Sequence, residues 1–408
     1  MFSLFKKRIY LDHASGTACS KTVIDAMTPY FRKMSCNPGG IYNEALRVNN
    51  DVSCARNNIA TILKAQAKEI YFIDGATEAN NIAIIGTINA WKKNNPDKKP
   101  HLITTVIEHA AVLETARHLE QEDVLVTYLD VDACGNISLK QLKESLTPNT
   151  VIISIGYVNG EIGTIQDIRS VMKTVRHYRK HKKNESEVIG INARYPYVHT
   201  DAVQAVNYTN ILGIPQLGID LMTINASKIY GPKKIAALFI RSDLHINPII
   251  FGGNQEKGLR SGTENVPYII GLSSALKESR DIQPKEYERL RSLQTYLENQ
   301  IYNYDETIIL NSGAQDKIPN IINITIPYLS HEEIVIRLDA KGFMCSVKSA
   351  CKTGDDGDSH VITSLRDVHT GSLRISLGRD TNKKDLKKFM RSFVTILNNM
   401  KQVREKYY

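Results

Sequence analysis

Short apolar runs that alternate with helix-length segments constrain this chain more than any other feature. Residues 69–73, 102–105, 124–129, 150–158, 197–200, 221–224 and 236–240 are strand-length and rich in β-branched and aromatic residues. Several are apolar without alternation, as strands are when a sheet is covered on both faces. Helical stretches fall between them, at 78–91 and at about 110–120. This order predicts an α/β fold with a mainly parallel mixed sheet between helices, running to about residue 264. The remainder reads as a smaller α+β unit. It offers a charged helix at 285–302, strands at 307–310 and 321–326, and a helix near 332–340. A strand run at 342–347, a strand at 372–377 and a closing helix at 383–401 follow. We therefore expect a large domain over 15–264 and a small domain over 265–408, with residues 1–14 joining the small one. Residues 180–194 lack clear periodicity and read as a surface insertion.

Composition narrows the class. The apolar runs are too short to span a membrane, and the first residues lack the order of a signal peptide, so a cytoplasmic location is expected. The net charge of +9 comes partly from basic clusters at 91–99 and 176–183. These read as solvated helix ends and loops; no RNA-binding fingerprint accompanies them, and a direct nucleic-acid partner is not expected. The six cysteines form no CxxC pair and no Cys/His metal spacing, so no metal is expected.

Certain residues stand where chemistry could use them. Lys228 follows the apolar run 219–224 and precedes a Gly231-Pro232 break. On a tight segment, desolvation can free a lysine amine to attack a carbonyl, the requirement for a Schiff base with pyridoxal phosphate (PLP). Asp201 ends a strand, where the ligand crevice of an open α/β sheet lies, and its carboxylate could hold a proton on a pyridine nitrogen. Gln204, one helical turn on, could donate to a phenolate oxygen. His109 opens a helix, where an imidazole could stack on a ring and move protons. Gly75, Ala76 and Thr77 open another helix after a strand, and helix-start N–H groups bind phosphate. The glycine-rich run 251–263 could wrap an anion or simply connect two domains. Cys351 sits in a polar stretch beside Lys348 and Lys352, which favour thiolate, although Asp355, Asp356 and Asp358 oppose it. Arg374, inside an apolar strand, wants a carboxylate, either a ligand's or an internal partner's.

Taken in order, these motifs resemble those of the class V aminotransferase group of PLP enzymes, and within it the NifS/IscS-type cysteine desulfurases. The resemblance begins at Tyr10-Leu11-Asp12-His13-Ala14-Ser15 and passes Cys36-Asn37-Pro38, Gly75-Ala76-Thr77-Glu78 and Ile107-Glu108-His109. It continues through Val158-Asn159-Gly160-Glu161, His199-Thr200-Asp201-Ala202-Val203-Gln204 and Lys228-Ile229-Tyr230-Gly231-Pro232. It ends with Arg260-Ser261-Gly262-Thr263, Ser349-Ala350-Cys351 and Arg374-Ile375-Ser376-Leu377-Gly378-Arg379.

The resemblance implies PLP fold type I and conversion of L-cysteine to L-alanine with a persulfide on Cys351, passed to a sulfur-acceptor protein in iron–sulfur cluster assembly or tRNA thiolation. It implies Lys228 as the Schiff-base lysine and proton shuttle, Asp201 on the pyridinium, Gln204 on the phenolate oxygen and His109 on the ring. Ala76, Thr77 and Ser227 would hold the phosphate, with Asn159 and Asn225 also lining the cofactor site. Thr263 would reach the phosphate of the other subunit, making a homodimer with a shared active site. Arg374 would bind the substrate carboxylate.

The chain departs from the family pattern at Ser227, where His is usual, at Asn225, where Ser is usual, and at Gly160, where a second Asn is usual. It also departs around Tyr42 and Asn43, and in the acidic run after Cys351. Rival readings are selenocysteine cleavage or transamination on the same scaffold, or a cofactor-free scaffold in sulfur transfer.

Overall fold

The computed structural model describes residues 8–186, 195–209, 212–311, 313, 316–347, 359–366 and 371–407. In chain order the first part is β1 (Ile9–Tyr10), α1 (Lys21–Met27), α2 (Asn43–Leu63), β2 (Ile70–Ile73), α3 (Ala76–Asn94), β3 (His101–Thr105), α4 (Ala110–Gln121) and β4 (Leu125–Leu129). Then come α5 (Leu139–Ser145), β5 (Thr150–Ser154), α6 (Ile168–Ser186), β6 (Tyr197–Asp201), α7 (Ile214–Leu217), β7 (Leu221–Asn225) and β8 (Ala236–Ile240). The last part is α8 (Val266–Tyr304), β9 (Ile309–Leu310), β10 (Ile321–Thr325), α9 (His331–Ala340), β11 (Phe343–Met344), α10 (His360–Arg366), β12 (Leu373–Ser376) and α11 (Lys383–Tyr407).

The large sheet has the order β2-β8-β7-β6-β5-β3-β4. All its neighbours pair in parallel except β8, which runs against both β2 and β7. Since β2 and β7 both oppose β8, β2 shares the direction of the parallel strands. The carboxyl ends of β2, β3, β5, β6 and β7 therefore open on one edge of the sheet. Strands β3, β5 and β8 are buried at every residue, which explains why their sequences show no apolar–polar alternation. On β6 between them, the buried His199 bridges Ser154 Oγ (2.9 Å) and Thr223 Oγ1 (3.1 Å), and burial pulls its pKa down to about 4, so the ring is neutral near pH 7.

A second sheet is antiparallel, in the order β12-β10-β9, and in a separate pair β1 runs parallel to β11. The start of the chain is thus bonded to residues more than 300 positions away: Leu11 N donates to Met344 O at 2.9 Å, and Ser376 N to Leu11 O at 2.7 Å.

Two expectations need correction, and one helix was not anticipated. The charged helix does not begin at 285; α8 begins at Val266 and carries Pro284 inside it. A proline removes one backbone donor, but packing of this helix against α1 and α2 holds it continuous. Residues 180–186 are not an irregular insertion but the last two turns of α6; residues 187–194 lie outside the described residues. Helix α2 gave no sequence signal, because asparagines and charges fill its outer face. Its buried stripe of Val48, Val52, Ala55, Ile59 and Leu63 nevertheless keeps helical spacing.

Candidate active site

The edge formed by the carboxyl ends of the parallel strands gathers most of the singled-out residues. Gly75 lies two residues past β2, His109 four past β3, and Asn159 five past β5, while Asp201 ends β6 and Lys228 follows β7 by three. Asp201 and Thr223 are register partners on adjacent strands, so the aspartate and the lysine segment share one side of the molecule.

Each group is held by identifiable bonds. Asp201 accepts from Asn80 Nδ2 (2.8 Å) and from Val203 N (3.0 Å). Asn80 is fully buried one turn into α3, and its own carbonyl oxygen is unpaired among the described residues. His109 caps α4: its Nδ1 accepts from Ala111 N at 3.1 Å, which leaves the proton on Nε2. Gly75 is the N-cap of α3 with φ +151°, and among the described residues no side chain caps that helix. Ala79 N, bonded to Gly75 O, is the first amide claimed there. The N–H groups of Ala76, Thr77 and Glu78 thus form a donor set at a helix start, and an added Cβ at Gly75 would meet nothing within 4 Å.

One short segment ties the rest together. Lys228 Nζ donates to Ser15 O. Gln204 Nε2 donates to Ala14 O at 2.9 Å. Arg374 Nη2 donates to Ser15 Oγ at 2.5 Å and to Asp12 Oδ1 at 2.9 Å, and its Nη1 to Gly160 O at 3.0 Å. Arg374 is buried and ion-paired with Asp12, so the internal partner weighed in the sequence is present. Gly160 makes room: an added Cβ would lie 3.3 Å from Gln204 Nε2.

Other expected residues do different work in this structure. Asn159 spends both ends of its amide on backbone, donating to Ile107 O and accepting from Glu161 N and Ile162 N. Asn225 Oδ1 accepts from Ser227 N. The Ser227 carbonyl is fixed by Thr17, while its hydroxyl makes no hydrogen bond among the described residues. Thr263 is exposed after Gly262, whose φ is +117°. Cys351 lies outside the described residues. Its near neighbour Ser346 is paired with Arg374 through two backbone bonds, of 3.2 and 2.7 Å.

Sequence reasoning gave no role to Asn80, Glu108 or Ser15. Asn80 could have been found, because it stands one helical turn beyond Ala76. Glu108 is buried, accepting from Gly156 N (2.9 and 3.0 Å) and Thr105 Oγ1 (2.9 Å). Burial, helped by the charge of Asp201, raises its pKa to about 7 against those bonds. Nothing local in the sequence reveals Ser15, whose partners lie 213 and 359 residues away.

The residues present fit PLP. A capless helix start suits its phosphate, a doubly bonded carboxylate suits its ring nitrogen, and a lysine on the same edge suits its aldehyde.

The chain is similar to known proteins over nearly its whole length. The class-V aminotransferase family model matches residues 9–389. The cysteine desulfurase IscS of Dictyoglomus turgidum is 36% identical over 384 residues, covering 93% of this chain and 92% of that protein. A solved NifS-like protein superposes with a TM-score of 0.85 at 28% identity, over 96% of this chain and 99% of the other. A structure of SspA in complex with cysteine is similar at a TM-score of 0.76 and 32% identity, over 90% and 98% of the two chains. Members of the matched family typically bind PLP. With its fold, its site and full-length relatives that are cysteine desulfurases, this chain belongs to the class-V aminotransferase family.

Proposed function

We propose that this protein is a PLP-dependent cysteine desulfurase that converts L-cysteine to L-alanine and carries the sulfur as a persulfide on Cys351. The observation that carries the reading is the convergence of Lys228, Gln204 and Arg374 on Ala14 and Ser15, beside the strand end that bears Asp201. When bound, PLP supplies a conjugated ring able to accept an electron pair from the substrate carbon skeleton.

The chain's own groups do the remaining work. The amides of Ala76 and Thr77, with the Ser227 hydroxyl, hold the phosphate, and Asp201 holds the ring-nitrogen proton in place. Gln204 would donate to the ring oxygen, and the His109 imidazole would lie against the ring and could move protons. Arg374 receives the substrate carboxylate, and Lys228 moves the α-proton. The Cys351 thiolate attacks the substrate sulfur; an S–S bond forms and the Cβ–S bond breaks. The electron pair passes to the carbon skeleton, which is protonated to alanine.

Thr263 would complete the phosphate site of a second copy, making the enzyme a homodimer, and the persulfide would pass to an acceptor protein.

A single-turnover incubation of the PLP-loaded protein with L-cysteine tests this reading, followed by mass measurement of the peptide bearing Cys351. One added sulfur atom, with one alanine released, is expected. Alanine released at full rate by Cys351→Ser would favour a selenocysteine lyase or another class V reaction instead.

A further inference from the structure

The Arg374 guanidinium is nearly closed to solvent, with 3% of its side chain exposed. Nη1 is engaged with Gly160 O, and Nη2 is shared between Asp12 Oδ1 and Ser15 Oγ. Nε is buried and has no partner among the described residues. A guanidinium grips a carboxylate through two adjacent N–H groups, and the edge formed by Nε and Nη2 is one such pair. One half of that edge is therefore vacant and the other half taken.

Of the two acceptors on Nη2, Asp12 is charged and also accepts from Ser15 Oγ at 2.9 Å. Ser15 is neutral and so the weaker partner. An arriving carboxylate needs one Nη2 proton, and the serine is the group that can release it at least cost. The carbonyl of the same residue accepts from Lys228 Nζ, so the exchange takes place at the contact that also holds the lysine.

We propose that the Ser15 hydroxyl occupies, on Arg374, the place that a substrate carboxylate oxygen takes, which makes Ser15 a positioning residue that sets affinity for the amino acid. The proposal rests on the reading of Arg374 as the carboxylate site. Ser15→Ala leaves an Nη2 N–H unpaired in the ligand-free protein. An unsatisfied buried donor raises the free energy of that form, and a bound carboxylate removes the penalty.

Calorimetric titration of the PLP-loaded protein with L-alanine, and with ethylamine, which lacks the carboxylate, tests this. S15A is expected to bind L-alanine about 5- to 10-fold more tightly than wild type, with ethylamine affinity unchanged. Ser15→Thr, which keeps the hydroxyl, is expected to behave as wild type. Equal or weaker L-alanine binding by S15A, or an equal shift for ethylamine, would overturn the proposal while leaving Arg374 in its role. Unchanged L-alanine affinity in Arg374→Lys would instead remove the carboxylate-site reading, and this proposal with it.

Discussion

Glu108 offers a test that reads the electrostatics of the site without turnover. It is buried between the β3–α4 turn and Gly156, and its folded-state pKa of about 7 stands above the ordinary 4.5 because burial disfavours the charge. A carboxyl whose folded value is raised lends its stability fully below the unfolded value and loses it as pH rises through the folded one. Between pH 5 and pH 8, ionisation of Glu108 should therefore cost the wild type roughly 2–3 kcal/mol, from a shift of about 2.5 units at 1.36 kcal/mol each, truncated by the pH limits. Glu108→Gln keeps a carbonyl acceptor for Gly156 N and Thr105 Oγ1 but cannot ionise. Urea unfolding of both proteins at pH 5 and pH 8, at one protein concentration, measures the stability gap. The gap should move in favour of the variant by that amount at the higher pH. A gap that stays constant between the two conditions would refute the argument, because it would mean that Glu108 ionises in the folded protein as readily as in the unfolded chain.

Other perturbations follow from single contacts. Gly378→Ala would place a Cβ 2.2 Å from the buried His13 ring, and overpacking of this kind costs about 1–3 kcal/mol, visible as a lower urea midpoint. Asp220, with no exposed side-chain surface, accepts from Arg179, Arg241 and Val198 N. Asp220→Ala leaves both guanidiniums without it and should cost about 3–5 kcal/mol in the same assay. Lys228→Ala should lower alanine production from cysteine by about a thousandfold, the scale of a lost acid–base group, and should let PLP dialyse away while far-ultraviolet circular dichroism stays unchanged.

What the sequence revealed and what it hid divide along physical lines. Strands β5 and β8 were legible because a sheet covered on both faces favours apolar runs without alternation. Asp201 and Lys228 were legible because strand carboxyl ends open onto a crevice. Helix α2 was hidden because its buried stripe is small and sparse, and the start of α8 was hidden because Pro284 reads locally as a stop. The bonds that assemble the site were hidden for another reason. Gln204 reaches Ala14 across 190 residues and Arg374 reaches Ser15 across 359, and such closures depend on the register of two separate sheets. No local pattern encodes them.

The pairing of β1 with β11, and of Ala14 N with Ser376 Oγ at 2.9 Å, bears on how the protein is made. Synthesis delivers the strands of the large sheet, complete by Ile240, roughly a hundred residues before the partner of β1 emerges. Residues 9–14, translated before the large sheet, thus find their places after it. A nascent chain arrested near residue 340 would already display Lys228, yet would have nowhere to seat the stretch on which that lysine rests.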